Sequence, residues 1–374
     1  MTVKTLDKRE ALHQEAKSLH LLEFWKERAD IELVEPRDIV EPHCWKWRDV
    51  EPRLRAAADI VPIEECERRA LLFCNPGLGG KPYVTNTLFA AFSLYNPGEQ
   101  APVHRHTPSA SRFIVEGSGG YTVVEGEKCV MHRGDLIITP AGTWHDHGNE
   151  GDEQLIWMDV LDVPIIESLN VTHFEFDYQG SSSDASSGHP MGTAYQDVSL
   201  PPDHSQRLYG TGGLMPLFAP EKRGAIGHHS PMFVYRWEKT RAALERLADY
   251  QGSPYDGVIM EYVNPATGQS VMPAMSFRSQ MLRPGEQTLL HRHMSNAVYF
   301  CLEGSGYTEI DGTRVEWGRN DVFALPTWKW HRHVNTTNEN AFLYSVTDEA
   351  AIRKLGLFRE ERKTESGDIE LVIY

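Results

Sequence analysis

The chain has 374 residues, 40% of them hydrophobic and 10% aromatic, enough for a large core and, at about 150 residues each, for two domains. A formal net charge of −16 argues against nucleic acid or an anionic membrane as partner, because both require basic patches. The start, Met1-Thr2-Val3-Lys4-Thr5, lacks a signal-peptide apolar core and no run approaches about 18 apolar residues. Cys44, Cys66, Cys74, Cys129 and Cys301 are scattered and never spaced Cys-x-x-Cys, so the expectation is a cytoplasmic protein with reduced thiols.

Residues 6–29 carry Leu12, Ala16, Leu19 and Leu22 at helical spacing, which predicts one amphipathic helix docking on its own barrel or on a neighbouring subunit, with His13 and His20 solvated. The next stretch, to residue 85, is broken by prolines and contains Trp45-Lys46-Trp47, the pair Arg68-Arg69 and a turn at Asn75-Pro76-Gly77. Adjacent arginines serve as surface ion-pair partners, or one of them holds a carboxylate through its planar fork. From there to Phe176, short strands rich in Phe, Val, Ile and Tyr with turns between them predict an all-β barrel. Residues 177–200 are Gly- and Ser-rich and read as an exposed, mobile connection. Residues 230–252 read as a strand end at Tyr235-Arg236-Trp237 followed by a helix with Leu244 and Leu247 inward. The expected organisation is a helical arm with lead-in strands (1–85), a first barrel (86–176), a connection with a mobile loop and a helix (177–255), and a second barrel with a tail (256–374).

The chemistry is concentrated between His104 and Asn149. On an extended strand, His104 and His106 leave on one face and can hold one metal ion together, with His145 completing the set after the turn Pro140-Ala141-Gly142. Three imidazoles leave adjacent coordination positions open, as non-haem Fe(II) sites do, although zinc, manganese or nickel fit the same ligands. Arg112 shares parity with the histidine pair and is placed to hold an anion beside the metal. His147 is either a general acid/base next to the metal or a solvated histidine at the rim. Asp159 either orients one of these groups or ends a strand in a salt bridge.

The pattern recurs. Gly285-x5-His291-Arg292-His293 copies Gly98-x5-His104-Arg105-His106, and Pro326 to Asn335 copies Pro140 to Asn149, giving a second possible metal set of His291, His293 and His331. In this copy Asn320 stands for Gly134, Trp328 for Gly142 and Tyr299 for Arg112.

The paired motifs Gly-x5-His-x-His and Gly-x5-Pro-x-Gly-x2-His-x3-Asn resemble those of the cupins, with Ala110 where many cupins carry a glutamate ligand. The runs Glu67–Gly80, His104–Gly117, Thr143–Asn149, Leu161–Pro164 and Tyr262–Gly268 further resemble the gentisate 1,2-dioxygenases, a group that takes in the salicylate and 1-hydroxy-2-naphthoate 1,2-dioxygenases. That resemblance implies two cupin jelly-roll barrels in a homotetramer. It implies Fe(II) on His104, His106 and His145, with Arg68, Arg112 and His147 binding a small aromatic 2-hydroxycarboxylate. It also implies extradiol-type fission by O₂ between the carboxyl-bearing and hydroxyl-bearing carbons. Ser93 stands where members typically have glutamine; with Phe89, Phe92 and Val160 it reshapes the pocket, so 5-substituted salicylates, salicylate and 1-hydroxy-2-naphthoate stand beside gentisate as substrates. A non-catalytic bicupin or a metal-dependent isomerase are the readings of another class.

Overall fold

The computed structural model describes residues 3–66, 68–176, 196–224 and 227–373, in two units, Met1–Ile39 and Val40–Tyr374. Most of the connection expected over 177–200 therefore lies outside the described residues.

The first unit corrects the single helix expected over residues 6–29. Two helices form, Val3–Ser18 and Phe24–Ile31. The first ends because His20 enters the left-handed region at φ 57°, and the Leu21 N–H then bonds back to Ala16 O at 2.8 Å and the His20 N–H to Lys17 O at 3.1 Å. This is a Schellman stop, built here without glycine. His13 is not simply solvated, since its Nδ1 lies 2.9 Å from the buried carboxylate of Glu23.

The second unit contains the two expected barrels. The back sheet of the first runs in the order Val234–Tyr235, Leu136–Thr139, Ala110–Glu116, Leu155–Leu161, Phe89–Tyr95 and Arg69–Leu72. Facing it are Glu127–Val130, Gly120–Val124 and His145–Asn149, while His104 bridges to His145 and Phe174–Glu175 pairs with Arg105–His106. The second barrel repeats this with Ser276–Leu282, Ala297–Glu303, Val322–Leu325 and Ala341–Thr347 behind, and His291–His293, Ser305–Ile310, Thr313–Gly318 and His331–Asn335 in front.

Strand alternation then decides which residues see a lumen. Along Ala110–Glu116, Phe113 and Val115 enter one large core shared with the second barrel, whereas Ile114 enters the first barrel's own core. Phe113 stacks on Tyr344 at 3.9 Å and meets Phe300 at 5.3 Å, so the back sheets of the two barrels are packed face to face. Two expected pocket residues fall on this face. Phe92 lies against Phe73, Trp47 and Phe300, and Val160 belongs to the same inter-barrel cluster, so neither lines the substrate lumen.

The edges of the back sheets are exchanged. His43–Trp45, which precedes the first barrel, pairs with Val322–Leu325 of the second, and Val234–Tyr235, which precedes the second, pairs with Leu136–Thr139 of the first. Each such strand runs into a helix, Trp47–Ile60 or Trp237–Arg246, with Leu54 or Leu244 buried. Asp321 Oδ1 accepts from the Trp47 N–H and Asp135 Oδ1 from the Trp237 N–H, each at 2.8 Å, while Lys46 and Arg236 pair with the same two carboxylates. The helices reach back: Arg55 bonds Glu116 of the first barrel at 2.7 Å and Arg241 bonds Glu303 of the second at 2.9 Å.

Candidate active site

His104, His106 and His145 come together because the strand after Ala101 lies antiparallel to His145–Asn149, with reciprocal backbone bonds between His104 and His145 at 3.0 and 2.9 Å. Ring centroids are 4.3 Å apart for His104 and His145, 4.8 Å for His106 and His145, and 5.6 Å for His104 and His106. Each Nδ1 faces a main-chain carbonyl two residues away: Pro102 O at 2.9 Å, Pro108 O at 2.7 Å and Thr143 O at 2.9 Å. A carbonyl can only accept, so Nδ1 carries the proton in all three rings and Nε2 keeps its lone pair. The Nε2 atoms of His106 and His145 are buried and have no hydrogen-bond partner.

His147 is fixed differently. The Arg112 guanidinium donates from Nη2 to His147 Nε2 at 2.8 Å, so the imidazole donates from Nδ1 to Thr122 Oγ1, 3.1 Å away. Arg112 is fully buried and also donates from Nη1 to Thr139 Oγ1 at 3.0 Å. Its Nε lies 3.5 Å from Asp159 Oδ1, and Asp159 Oδ2 accepts from Ser93 Oγ at 2.6 Å. His147 is thus a buried histidine, and Asp159 does sit against the arginine.

Burial, reinforced by the cations of Arg112 and Arg68, holds these imidazoles neutral. His104 falls to about 3 and His106 to about 4, and His145 and His147 are pushed well below the usual histidine range. Burial also draws Arg112 down to about 10, against the pull of Asp159. The two neighbouring arginines separate: Arg69 is buried and bonds Glu99 at 2.6 Å, whereas Arg68 is half-buried and its charge is felt by His104, His106 and His147. Phe89 is half-buried and shares strand parity with Ser93. Phe174 and Phe176 stand 5.1 Å from His106 and 6.1 Å from His104 and were not anticipated. Neither were Thr122 and Thr139, although Thr308 in the second barrel repeats Thr122 against His333 at 2.9 Å, a signal present in the repeat.

One group among the described residues, His104, His145 and His147, offers three ligand atoms all within 4.8 Å of one another. The site as a whole combines neutral imidazole nitrogens, a buried arginine and a carboxylate that accepts from Ser93 through one oxygen and faces the arginine with the other. A cupin-domain family model matches residues 91–161 and 278–347, one match in each barrel. A 5-aminosalicylate 1,2-dioxygenase from Comamonas sp is 37% identical over 97% of this chain and 92% of its own. The chain belongs to the gentisate 1,2-dioxygenase family. A gentisate 1,2-dioxygenase from Aquipseudomonas alcaligenes is 34% identical, covering 95% of this chain and 96% of that protein. The crystal structure of a salicylate 1,2-dioxygenase from Pseudaminobacter salicylatoxidans superposes with a TM-score of 0.83 at 31% identity, over 95% of this chain and 97% of that one. Membership of this family makes the chain an enzyme of the bicupin dioxygenase type, and its histidine cluster a fitting place for a metal ion. Among the described residues, no helix is long and apolar enough to cross a membrane.

Proposed function

We propose that this protein is an Fe(II)-dependent dioxygenase that cleaves a salicylate-type 2-hydroxybenzoate between its carboxyl-bearing C1 and hydroxyl-bearing C2, an extradiol-type fission. We assign the metal to Nε2 of His104, His106 and His145. What carries the assignment is the partnering of the ring nitrogens: the Nδ1 atoms of these three rings are committed to carbonyls, whereas both nitrogens of His147 already have partners. His147, beside the metal set but with both nitrogens engaged, is then the group that works on the substrate. Bound there, Fe(II) would supply the redox chemistry that lets O₂ react with a closed-shell aromatic ring.

The protein's own residues bind and orient. Arg112 is the carboxylate clamp, and Arg68 adds a second positive charge on the same side. When the guanidinium turns to the substrate carboxylate, it gives up its bond to His147 Nε2, and that lone pair becomes the acceptor for the substrate hydroxyl proton. Asp159, held by Ser93, keeps the Nε side of Arg112 in place. Phe89 packs beside the ring. With no carboxylate among the proposed ligands, a dianionic substrate offsets the metal's charge. The 5-aminosalicylate named for the Comamonas relative and gentisate are the substrate classes we favour, with 5-nitrosalicylate, salicylate and 1-hydroxy-2-naphthoate as the comparison panel. The working form we infer is a cytoplasmic homotetramer.

The test is anaerobic reconstitution with Fe(II), followed by oxygen uptake and ultraviolet spectra across that panel. Stoichiometric O₂ consumption with one member, abolished in His104→Ala, is the expected result. Bound iron without uptake on any member would overturn the reading in favour of a binding protein or an isomerase.

A further inference from the structure

The second barrel repeats the histidine geometry but not the clamp. Centroids are 4.2 Å apart for His291 and His331, 5.0 Å for His293 and His331 and 5.6 Å for His291 and His293, within 0.2 Å of the first set. Again each Nδ1 is committed: to Glu360 Oε1 at 3.3 Å, to Ser295 O at 3.0 Å and to Lys329 O at 2.9 Å. The Nε2 atoms of His291 and His331, and of His333 beside them, have no hydrogen-bond partner, in residues 3%, 0% and 0% exposed. A buried imidazole nitrogen left without a partner loses its hydration with nothing in return, unless a cation occupies its lone pair.

The surroundings differ in sign. Tyr299 takes the place of Arg112, and the arginines near the lumen are already paired, Arg278 with Glu349 at 2.6 Å and Arg362 with Glu360 at 2.7 Å. Asp256 Oδ1 lies 3.8 Å from His291 Nε2, while its Oδ2 is held by Ser253 Oγ at 2.9 Å. Asp256, His291, His293, Tyr299 and the two ion pairs line a cavity of about 300 Å³. No second-barrel trio brings three ligand atoms within 4.8 Å, and the first-barrel trio containing His106 does not either, although its rings stand equally far apart.

We propose that the second barrel is a divalent transition-metal site formed by Nε2 of His291, His293 and His331 with the Asp256 carboxylate as fourth ligand, and that its ion is structural. Four protein ligands close a tetrahedral shell and leave no place for a substrate. The Glu360 carboxylate on His291 Nδ1 is the outer partner that fixes the ring of a ligating histidine. The site is independent of the ring-cleavage reading, since metal content is counted whether or not any substrate turns over.

The experiment is metal analysis of the full chain after chelator stripping and reloading with Zn(II). Two equivalents per chain are expected for the wild type and one for both His331→Ala and His104→Ala/His145→Ala. In the latter variant the remaining ion is expected to raise Tm by about 3 °C at a hundredfold excess over its Kd. Adding Asp256→Asn to that variant should weaken Zn(II) at least ~10-fold, and this substitution keeps the side chain's size should His331→Ala fail to fold. One equivalent in the wild type, or full retention of the second ion in His331→Ala, overturns the site. Undiminished affinity with Asp256→Asn overturns the carboxylate ligand.

Discussion

Ser93 is a small side chain with a large dependent: its hydroxyl donates to Asp159 Oδ2, and Asp159 in turn faces Arg112. Removing it in Ser93→Ala leaves a buried carboxylate oxygen unsatisfied, a cost of about 1–3 kcal/mol. Because the disturbance reaches the clamp, kcat/KM should fall about 10-fold, chiefly through KM, in steady-state oxygen uptake; an unchanged KM would separate Ser93 from the arginine. Arg112→Lys keeps the charge but not the fork, and a loss of 100-fold or more in kcat/KM, ~3 kcal/mol, is expected. Acid should act on the histidines directly. Their native values of about 3 for His104 and about 4 for His106 lie below the ordinary 6.5, so the unfolded chain binds more protons once the pH falls below 6.5. Stability fully present above that pH is lost on the way down, at roughly 1.4 kcal/mol per pH unit per imidazole. Thermal melts of the metal-free protein should hold level from pH 8 to 7 and drop steeply below about 6; a flat profile to pH 5 would contradict the neutral, buried assignment. These histidines and Arg112 were legible from spacing, because parity on a strand is a strong constraint. Phe92 and Val160 were assigned to the pocket against the same parity, which sets Phe92 opposite Ser93 on its strand, and the structure follows the parity. Thr122 and Thr139 had no such signal in a single copy, since a hydroxyl in a strand is ordinary.

The strand-and-helix arms show how a short element acquires its place from distant partners. Trp45-Lys46-Trp47 and Tyr235-Arg236-Trp237 are copies of one another in sequence, yet nothing local says that each should join the other repeat's barrel. That is settled by Asp321 and Asp135, hundreds and about a hundred residues away, which accept the first helical N–H and the preceding cation together. Asp135→Ala removes one of the two carboxylates paired with a largely buried Arg236, Asp203 remaining, together with the acceptor for the Trp237 N–H, and should cost about 2 kcal/mol in urea unfolding, while Asp135→Asn, which can still accept from Trp237, should cost less. The departures from the motif in the second barrel also resolve at this level. Asn320 and Trp328 keep the left-handed backbone of Gly134 and Gly142, at φ 66° and 61°. Asparagine tolerates that region, and Trp328 is held there under the guanidinium of Arg292, 4.1 Å from its ring. Gly134 has a second reason to lack a side chain, because a Cβ there would come within 2.5 Å of Trp237.

The two barrels share one core, with Phe92, Phe113, Phe300 and Tyr344 meeting between their back sheets. Two barrels, and the order of their motifs, were plain in the internal repeat. Their interlocking was not, because a repeat reports what resembles what and is silent on which copy pairs with which. If the chain is broken between residues 176 and 196, the halves expressed together should co-purify, and each expressed alone should aggregate, having lost a sheet edge and the facing half of the core. Independent folding of either half would count against the exchanged edges. A polypeptide holding a single copy of the repeat could close its back sheet only by lending its arm to a second molecule and receiving one in return. The fused chain is in that sense a domain-swapped dimer written as one gene, and the segment joining its halves is an inter-subunit tether.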